Sequence, residues 1–512
     1  MRITDANRRW WVLVTMTGSL SMILIDQTVV SVALPTMQDE LGLSTTGVQW
    51  VVNAYLLAIA VLVALGGRIG DLIGNERVFR IGAIVFVLAS AACGLAQNEA
   101  WIIVARAVEG AGAALMTPSS GAIVMNAFSS DERGKAMGIY TGVSMVFLAL
   151  GPLIGGALVE GIGWEAVFYV NLPVGTAMLV LAHITMPRER APTPAGGRVD
   201  WPGVPLLIVG VGALVLGLMQ SRAWGWDSPA VISLLIAAAV VLPLFVLWEL
   251  RAREPLVQLR LFKSRNFSAD NLVLAVVQFG TIGVSVFGAI WVQDVLGFGP
   301  ITAGLSLLPL TIPLLLLAPA TGKLYDRIGP RAPVAAGAFL VGVAFAWSAA
   351  VLHELSYGWI VPGYVLMGIG LALVMTPAST DAMNVADPAL RGQASGVIQT
   401  MRQVGGTIGI AVLGTIISNV QHTQVSDWVA ADPSREADIS QIQTVLANPD
   451  ADPSSAADPA VVEMLRDAVT TAISSAYWVA AGFLLAAAIV AALVLRHVRA
   501  ADASADDVVP VV

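Results

Sequence analysis

Six ionisable side chains stand inside or at the edges of long apolar stretches: Asp26, Arg106, Glu109, Asp270, Asp381 and Arg402. Inserting such a group into hydrocarbon costs about 2.5–3.5 kcal/mol, so each asks for a reason. The chemistry open to them is proton exchange. Loss of water favours the neutral acid and a nearby guanidinium favours the carboxylate, and a balance between the two lets a group titrate. Asp26, Arg106 and Glu109 fall well inside their stretches; Arg402 stands nearer one end, and Asp270 and Asp381 lie near ends. None of the four histidines (His183, His353, His422, His497) is deep in a stretch, so imidazole is a poor proton carrier here.

The stretches that must position these groups are membrane-spanning helices. Of the 512 residues 57% are hydrophobic and 12% charged, about half the charged share of a soluble domain; mean hydropathy is +0.79. Apolar runs of about 17 to 25 residues recur from end to end, the length that crosses roughly 30 Å of hydrocarbon. The pattern predicts spans near 11–34, 48–66, 79–97, 101–125, 136–159, 165–186, 203–220, 229–249, 267–291, 302–322, 333–352, 357–380, 394–418 and 472–496. Of the 27 Lys and Arg residues, 22 fall in loops on one side, and only Arg222, Arg435 and Arg466 on the other. The positive-inside rule then places both termini in the cytoplasm, which requires an even number of spans. Arg8 and Arg9 precede a first apolar segment too long for a cleaved leader, so it reads as a retained span.

The chain repeats itself at an offset of about 255 to 259 residues. Gly67-Arg-Ile-Gly-Asp71-Leu-Ile-Gly74 matches Gly322-Lys-Leu-Tyr-Asp326-Arg-Ile-Gly329, Arg133-Gly-Lys-Ala-Met-Gly138 matches Arg391-Gly-Gln-Ala-Ser-Gly396, and Trp101 to Pro118 matches Trp359 to Pro377. Two six-span halves related by a parallel repeat follow, with two extra spans between them and a crevice at their junction. The expected organisation is a six-helix half over 1–190, an inserted pair with flanks over 191–265, the first five helices of the second half over 266–418, an acidic loop over 419–471, the last helix over 472–497 and a tail over 498–512. The loop holds nine acids against two arginines, and four prolines. It reads as a solvated, partly disordered spacer, or as an electrostatic trap for cations at the mouth.

Other classes find no support. There is no basic stripe for nucleic acid, no Walker motif, metal-ligand cluster or nucleophile elbow. The single cysteine, Cys93, allows no intramolecular disulfide.

Taken in order, the motifs resemble the major facilitator superfamily. Gly67–Arg77 (Gly67, Arg68, Asp71, Gly74, Arg77) and its echo Gly322–Arg331 (Gly322, Asp326, Arg327, Gly329, Arg331) resemble its cytoplasmic gating signature. Ala105-Arg106 through Ala114 resembles its fourth-span arginine motif, and Gly142 through Gly151-Pro152-Leu-Ile-Gly155-Gly156 its fifth-span antiporter motif. Ile25-Asp26 through Pro35, Gln49 through Tyr55, and Trp164 through Phe168-Tyr-Val-Asn171-Leu-Pro173 are similar to the fourteen-span drug:H⁺ antiporter branch of EmrB/QacA type. The first gating signature has Leu72 and Asn75-Glu76 where basic residues are usual. That implies weaker gating electrostatics there and leaves the second as the better-formed copy. Glu109 replaces the usual glutamine.

The resemblance implies an all-α polytopic fold of two bundles plus two inserted helices, with spans 1 and 4 lining the central cavity. Asp26 lies about 13 Å from Pro35 along its helix, and Arg106 and Glu109 about 8 and 12 Å below Trp101. At comparable depth, with Glu109 three residues after Arg106 and so on one face, the three form an expected proton-coupling cluster. A buried Asp–Arg pair can equally just hold two helices together. Against a purely structural role, the counterparts of Arg106 and Glu109 in the repeat are Tyr364 and Met367. Substrate contacts are expected at Met22, Asn53, Tyr55, Gln278, Trp291 and Gln403, polar and aromatic groups suited to an amphipathic ligand. The expected function is proton-coupled efflux of small amphipathic drugs or antibiotics, cationic ones included, across the inner membrane. The alternative is an exporter dedicated to one physiological cargo: an amino acid, a siderophore, a lipid or a self-made antibiotic. Its energy source is the proton gradient with no cofactor, its partners substrate, protons and lipid, and its working unit a monomer.

Overall fold

The computed structural model describes residues 4–186, 199–431 and 459–496, and all the long elements among them are helices. In order these are α1 (Asp5–Leu41), α2 (Thr45–Ile73), α3 (Asn75–Gly94), α4 (Glu99–Ala127), α5 (Arg133–Gly161), α6 (Ala166–Thr185), α7 (Gly203–Trp224), α8 (Pro229–Glu249), α9 (Arg265–Asp294), α10 (Thr302–Ile328), α11 (Arg331–Val351), α12 (Tyr357–Val385), α13 (Arg391–Ala430) and α14 (Pro459–Val494). Thirteen are long and apolar enough to cross a membrane. α5 makes the fourteenth if its two arms, Arg133–Leu148 and Leu150–Gly161, bent by 42°, count as one span.

Each predicted span lies on one of these helices, and the ends follow from capping chemistry. Ser44, Asn98 and Ser264 accept the first-turn amides of Gly47, Trp101 and Phe267 and so start α2, α4 and α9. The tight α2–α3 and α10–α11 turns rest on Gly74 (φ 99°) and Gly329 (φ 75°), where a side chain would be strained. Their amides close onto the carbonyls of Gly70 and Tyr325.

α1–α6 pack as one bundle and α9–α14 as the other. They meet along two seams, α2 on α13 and α5 on α10, and α7 of the inserted pair lies against both α2 and α13. The start of α1 pairs with the α4–α5 loop through Arg9–Glu132, the start of α11 with the end of α14 through Arg331, and the start of α9 with residue 496. These contacts collect the arginine-rich loops at one end of the molecule, the basic end.

One expectation needs correcting. The loop expected over 419–471 is helical at both margins: α13 runs on to Ala430 and α14 begins at Pro459. Val461, Met464, Leu465 and Ala468 form an apolar stripe with helical spacing that packs with Val425 and Trp428. The acids and prolines of this region disguise that stripe. Its middle, 432–458, and the expected tail, 498–512, lie outside the described residues, as do Arg2, Arg188, Arg190, Arg198, Arg435 and Arg499.

Candidate functional site

Asp26 on α1 and Arg106 and Glu109 on α4 come together inside the first bundle. One guanidinium nitrogen, Nη1 of Arg106, donates to Asp26 Oδ2 at 2.7 Å and to Glu109 Oε2 at 2.8 Å. Its Nε donates to the carbonyl of Val51 at 3.1 Å, and its Cζ sits 4.1 Å from the centre of the Tyr55 ring. Asp26 Oδ1 accepts from the Asn171 amide at 3.1 Å, and that amide also reaches Ser90 Oγ at 3.0 Å. Asp26 and Glu109 are 0% exposed and Arg106 1%. Five of the six helices of this bundle thus contribute to one polar knot in an apolar interior. Charged pairs are tolerated there only when hydrogen bonds satisfy the remaining polar atoms. One atom is left over: Glu109 Oε1 is buried with no hydrogen-bond partner among the described residues. With both acids ionised the knot carries a net charge of −1, and one proton would neutralise it.

Sequence reasoning missed Asn171, Ser90 and the Val51 carbonyl. Asn171 was visible as a polar residue within a family motif; Ser90 and a backbone carbonyl carry no signal in sequence.

Of the antiporter-motif glycines, Gly142 faces Ala318 of α10, while Gly151 and Gly155 lie against Thr28 and Val29 of α1. Gly156 has open space around it and is no close-packing position. Pro152 cannot donate to the carbonyl four residues earlier, that of Leu148. The hydroxyl of Thr28 takes that carbonyl at 3.0 Å, at the bend of α5. The helix that carries Asp26 is therefore hydrogen-bonded to the kink.

At the basic end the repeat becomes a reciprocal latch. Asp71, at the end of α2, accepts from the amides of Gly392 and Gln393 at 2.8 Å each, capping α13 of the other half. Asp326, at the end of α10, accepts from Gly134 and Lys135 at 2.9 and 3.2 Å, capping α5. Each acid meets the positive pole of the facing helix. Gly67 lies on the backbone of Gly392 and Gly322 on that of Gly134, with no room for a Cβ. Arg133 donates to Asn384 at 2.9 Å and Arg391 to Asn126, again across the halves.

The first copy is therefore as well formed as the second. The caps are made by the acids and glycines, which both copies keep, and not by the basic residues the first copy lacks. Arg68 lies within electrostatic reach of Asp71 and of Asp200, Glu249 and Glu254 from the inserted segment. Arg331 binds the carbonyl of Ala492 at 2.8 Å. Arg77 and Arg327 stand in the first turn of α3 and the last turn of α10.

The expected substrate contacts divide. Met22, Tyr55 and Trp291 are buried inside their own bundles, at 2%, 0% and 1% exposure. Met22 packs on Gly175, Tyr55 underlies Arg106, and the Trp291 indole donates to Thr470 at 3.1 Å. These three are interior packing, for which large side chains in apolar helices are equally suited. Asn53, Gln278 and Gln403 keep accessible surface.

The second bundle holds its own buried acid pair. Asp381 accepts from Asn266 at 2.9 Å and Tyr325 at 3.1 Å, and lies within hydrogen-bonding reach of Asp270, which no other donor among the described residues approaches. In sequence these two stand near span ends. The burial comes from α9, α10 and α12 converging.

Comparison with known proteins agrees with this architecture. The profile of the Major Facilitator Superfamily matches residues 16–410. The "Tetracenomycin C resistance and export protein" of Streptomyces glaucescens is 36% identical over 430 residues, covering 84% of this chain and 80% of that one. The "Multidrug resistance protein Stp" of Mycobacterium tuberculosis (strain CDC 1551 / Oshkosh) is 36% identical over 400 residues, covering 78% and 74%. The "Puromycin resistance protein pur8" of Streptomyces alboniger is 34% identical over 429 residues, covering 82% and 84%. Among solved structures, the proton:xylose symporter XylE shares the fold with a TM-score of 0.62, covering 95% of each chain at 13% identity. Two packed bundles, a reciprocal latch between them and these relatives lead to one conclusion: the chain belongs to the Major Facilitator Superfamily and is a multi-pass transporter of small molecules, not an enzyme.

Proposed function

We propose that this transporter exports small amphipathic drugs or antibiotics in exchange for protons, by alternating access between its two halves. The observation that carries the reading is the Asp26–Arg106–Glu109 knot. It is two acids on one guanidinium, sealed from solvent while the basic end is latched. A proton-coupled carrier needs a group that binds its proton in one state and releases it in another. A knot with one charge too many, sealed in this state, meets that need. The names of the relatives support export as the direction, and the Thr28–Leu148 bond gives the kinked α5 a path to the proton site.

The same reading places the basic end and both termini in the cytoplasm, the two six-helix halves at 1–190 and 266–497 with the inserted pair between them, and the working protein in the inner membrane as a monomer of the fourteen-span EmrB/QacA type. A second reading, export of a single dedicated cargo, is favoured by relatives named for one compound, such as the "Cephamycin export protein CmcT" of Amycolatopsis lactamdurans.

The test is accumulation of amphipathic dyes by cells expressing the wild type or Asp26→Asn, with and without a protonophore. The wild type should hold dye out until the gradient collapses, and the variant should fill at the rate of empty cells. Equal exclusion by both, unaffected by the protonophore, defeats proton coupling.

A further inference from the structure

Inside the spans, one charge among the described residues is answered by no other charge. Arg402 lies 11 residues beyond Arg391, about 16 Å along α13 from the basic end, and so within roughly 30 Å of hydrocarbon. Its Nη1 donates to Gln399 Oε1 at 3.0 Å, and its Nε and Nη2 reach Gln278 Oε1 of α9 at 3.4 Å each. Tyr140 of α5 is within its electrostatic reach from the opposite half, which places the guanidinium at the junction of the two bundles. Among the described residues no carboxylate pairs with it. Two neutral amide oxygens do not balance a full charge.

Accessibility sharpens the contrast. Arg402 keeps accessible surface, as do Gln278, Gln399 and Gln403 beside it. The acids at depth do not: Asp26, Glu109 and Asp270 are 0% exposed and Asp381 5%, each within a polar cluster of its own bundle. The acids are thus withheld from the junction and a guanidinium is offered to it. An uncompensated charge in a low-dielectric site is costly, and the cost falls when a ligand supplies the opposite charge. Arginine also presents a planar fork of donors that fits a two-oxygen acceptor.

We propose that Arg402, flanked by Gln278 and Gln399, is the polar anchor of the substrate site, and that the preferred cargo carries an oxyanion, a carboxylate or phenolate, on an apolar body. This rests on the export reading and specifies its substrate class. It replaces the expectation of a cationic cargo.

The test uses two dyes on one xanthene scaffold, anionic fluorescein and cationic rhodamine 123, taken up by everted membrane vesicles energised with a proton gradient. The wild type should carry fluorescein in preference to rhodamine 123. R402Q should shift the ratio of the two by about tenfold or more towards the cation, as expected for loss of a charge-assisted contact. R402K should stay within about threefold of the wild-type ratio, because it keeps the charge. Thermal unfolding of both variants in detergent shows whether they are folded, and a misfolded R402Q leaves the wild-type preference and R402K to decide. Rhodamine 123 carried in preference by the wild type, or an unchanged ratio in R402Q, overturns the proposal and leaves export standing. Wild-type vesicles that carry neither dye overturn this proposal together with the export of amphipathic drugs as a class, and leave only the dedicated-cargo reading.

Discussion

At the scale of single residues, the knot around Arg106 makes separable predictions. Arg106→Ala strands two buried carboxylates, and breaking a buried pair in this way costs about 3–5 kcal/mol. Its unfolding temperature in detergent should fall clearly and transport should vanish. Glu109→Gln removes the surplus charge yet can still accept from Arg106, so it should unfold at or above the wild-type temperature while transport loses its dependence on the pH gradient. Unaltered gradient dependence would mark Glu109 as structural. Thr28→Val deprives the Leu148 carbonyl of its donor, a loss of about 1–3 kcal/mol for a buried acceptor; Thr28→Ser should restore both stability and turnover. Much of this site was legible in sequence, because Asp26, Arg106 and Glu109 are charges in apolar runs and helix rise sets their depth. The rest was not. Ser90 and the Val51 carbonyl are ordinary until the chain brings them within reach, and Trp291 looks the same in sequence whether it lines a cavity or fills a core.

The helices themselves were the most legible level, since a span is declared by length and composition alone. Their ends were less so, and the helical extensions to Ala430 and from Pro459 were hidden because their stability comes from packing on each other. The latch belongs to this scale. Asp71 and Asp326 each accept two backbone amides and share no partner. Asp71→Ala and Asp326→Ala should therefore loosen the basic end to similar degrees and roughly additively. In a Cys93→Ala background, labelling of a cysteine introduced at position 395 should speed up by a similar factor in each single variant. A response confined to Asp326→Ala would show that the second copy carries the gate alone. Gly322→Val, whose side chain has no room against Gly134, should give fast labelling and little transport.

At the scale of the whole molecule, the basic end should face the cytoplasm. A fluorescent protein fused after residue 512 should mature and glow. Alkaline phosphatase inserted within 432–458 should be active, since the flanking helix ends, Ala430 and Pro459, lie on the opposite side. The reverse pattern would invert the topology and with it the direction of transport.

The paired extensions of α13 and α14 have a mechanical consequence. The 11 residues of helix from 420 to Ala430 amount to a rigid arm of about 16 Å, rooted in only one of the two halves. When that half tilts against the other, the arm's tip must sweep an arc that magnifies the motion at its root. A distance probe between the tip and the outer end of α2 would then serve as a pointer, reporting each turn of the transport cycle as a displacement larger than any within the spans.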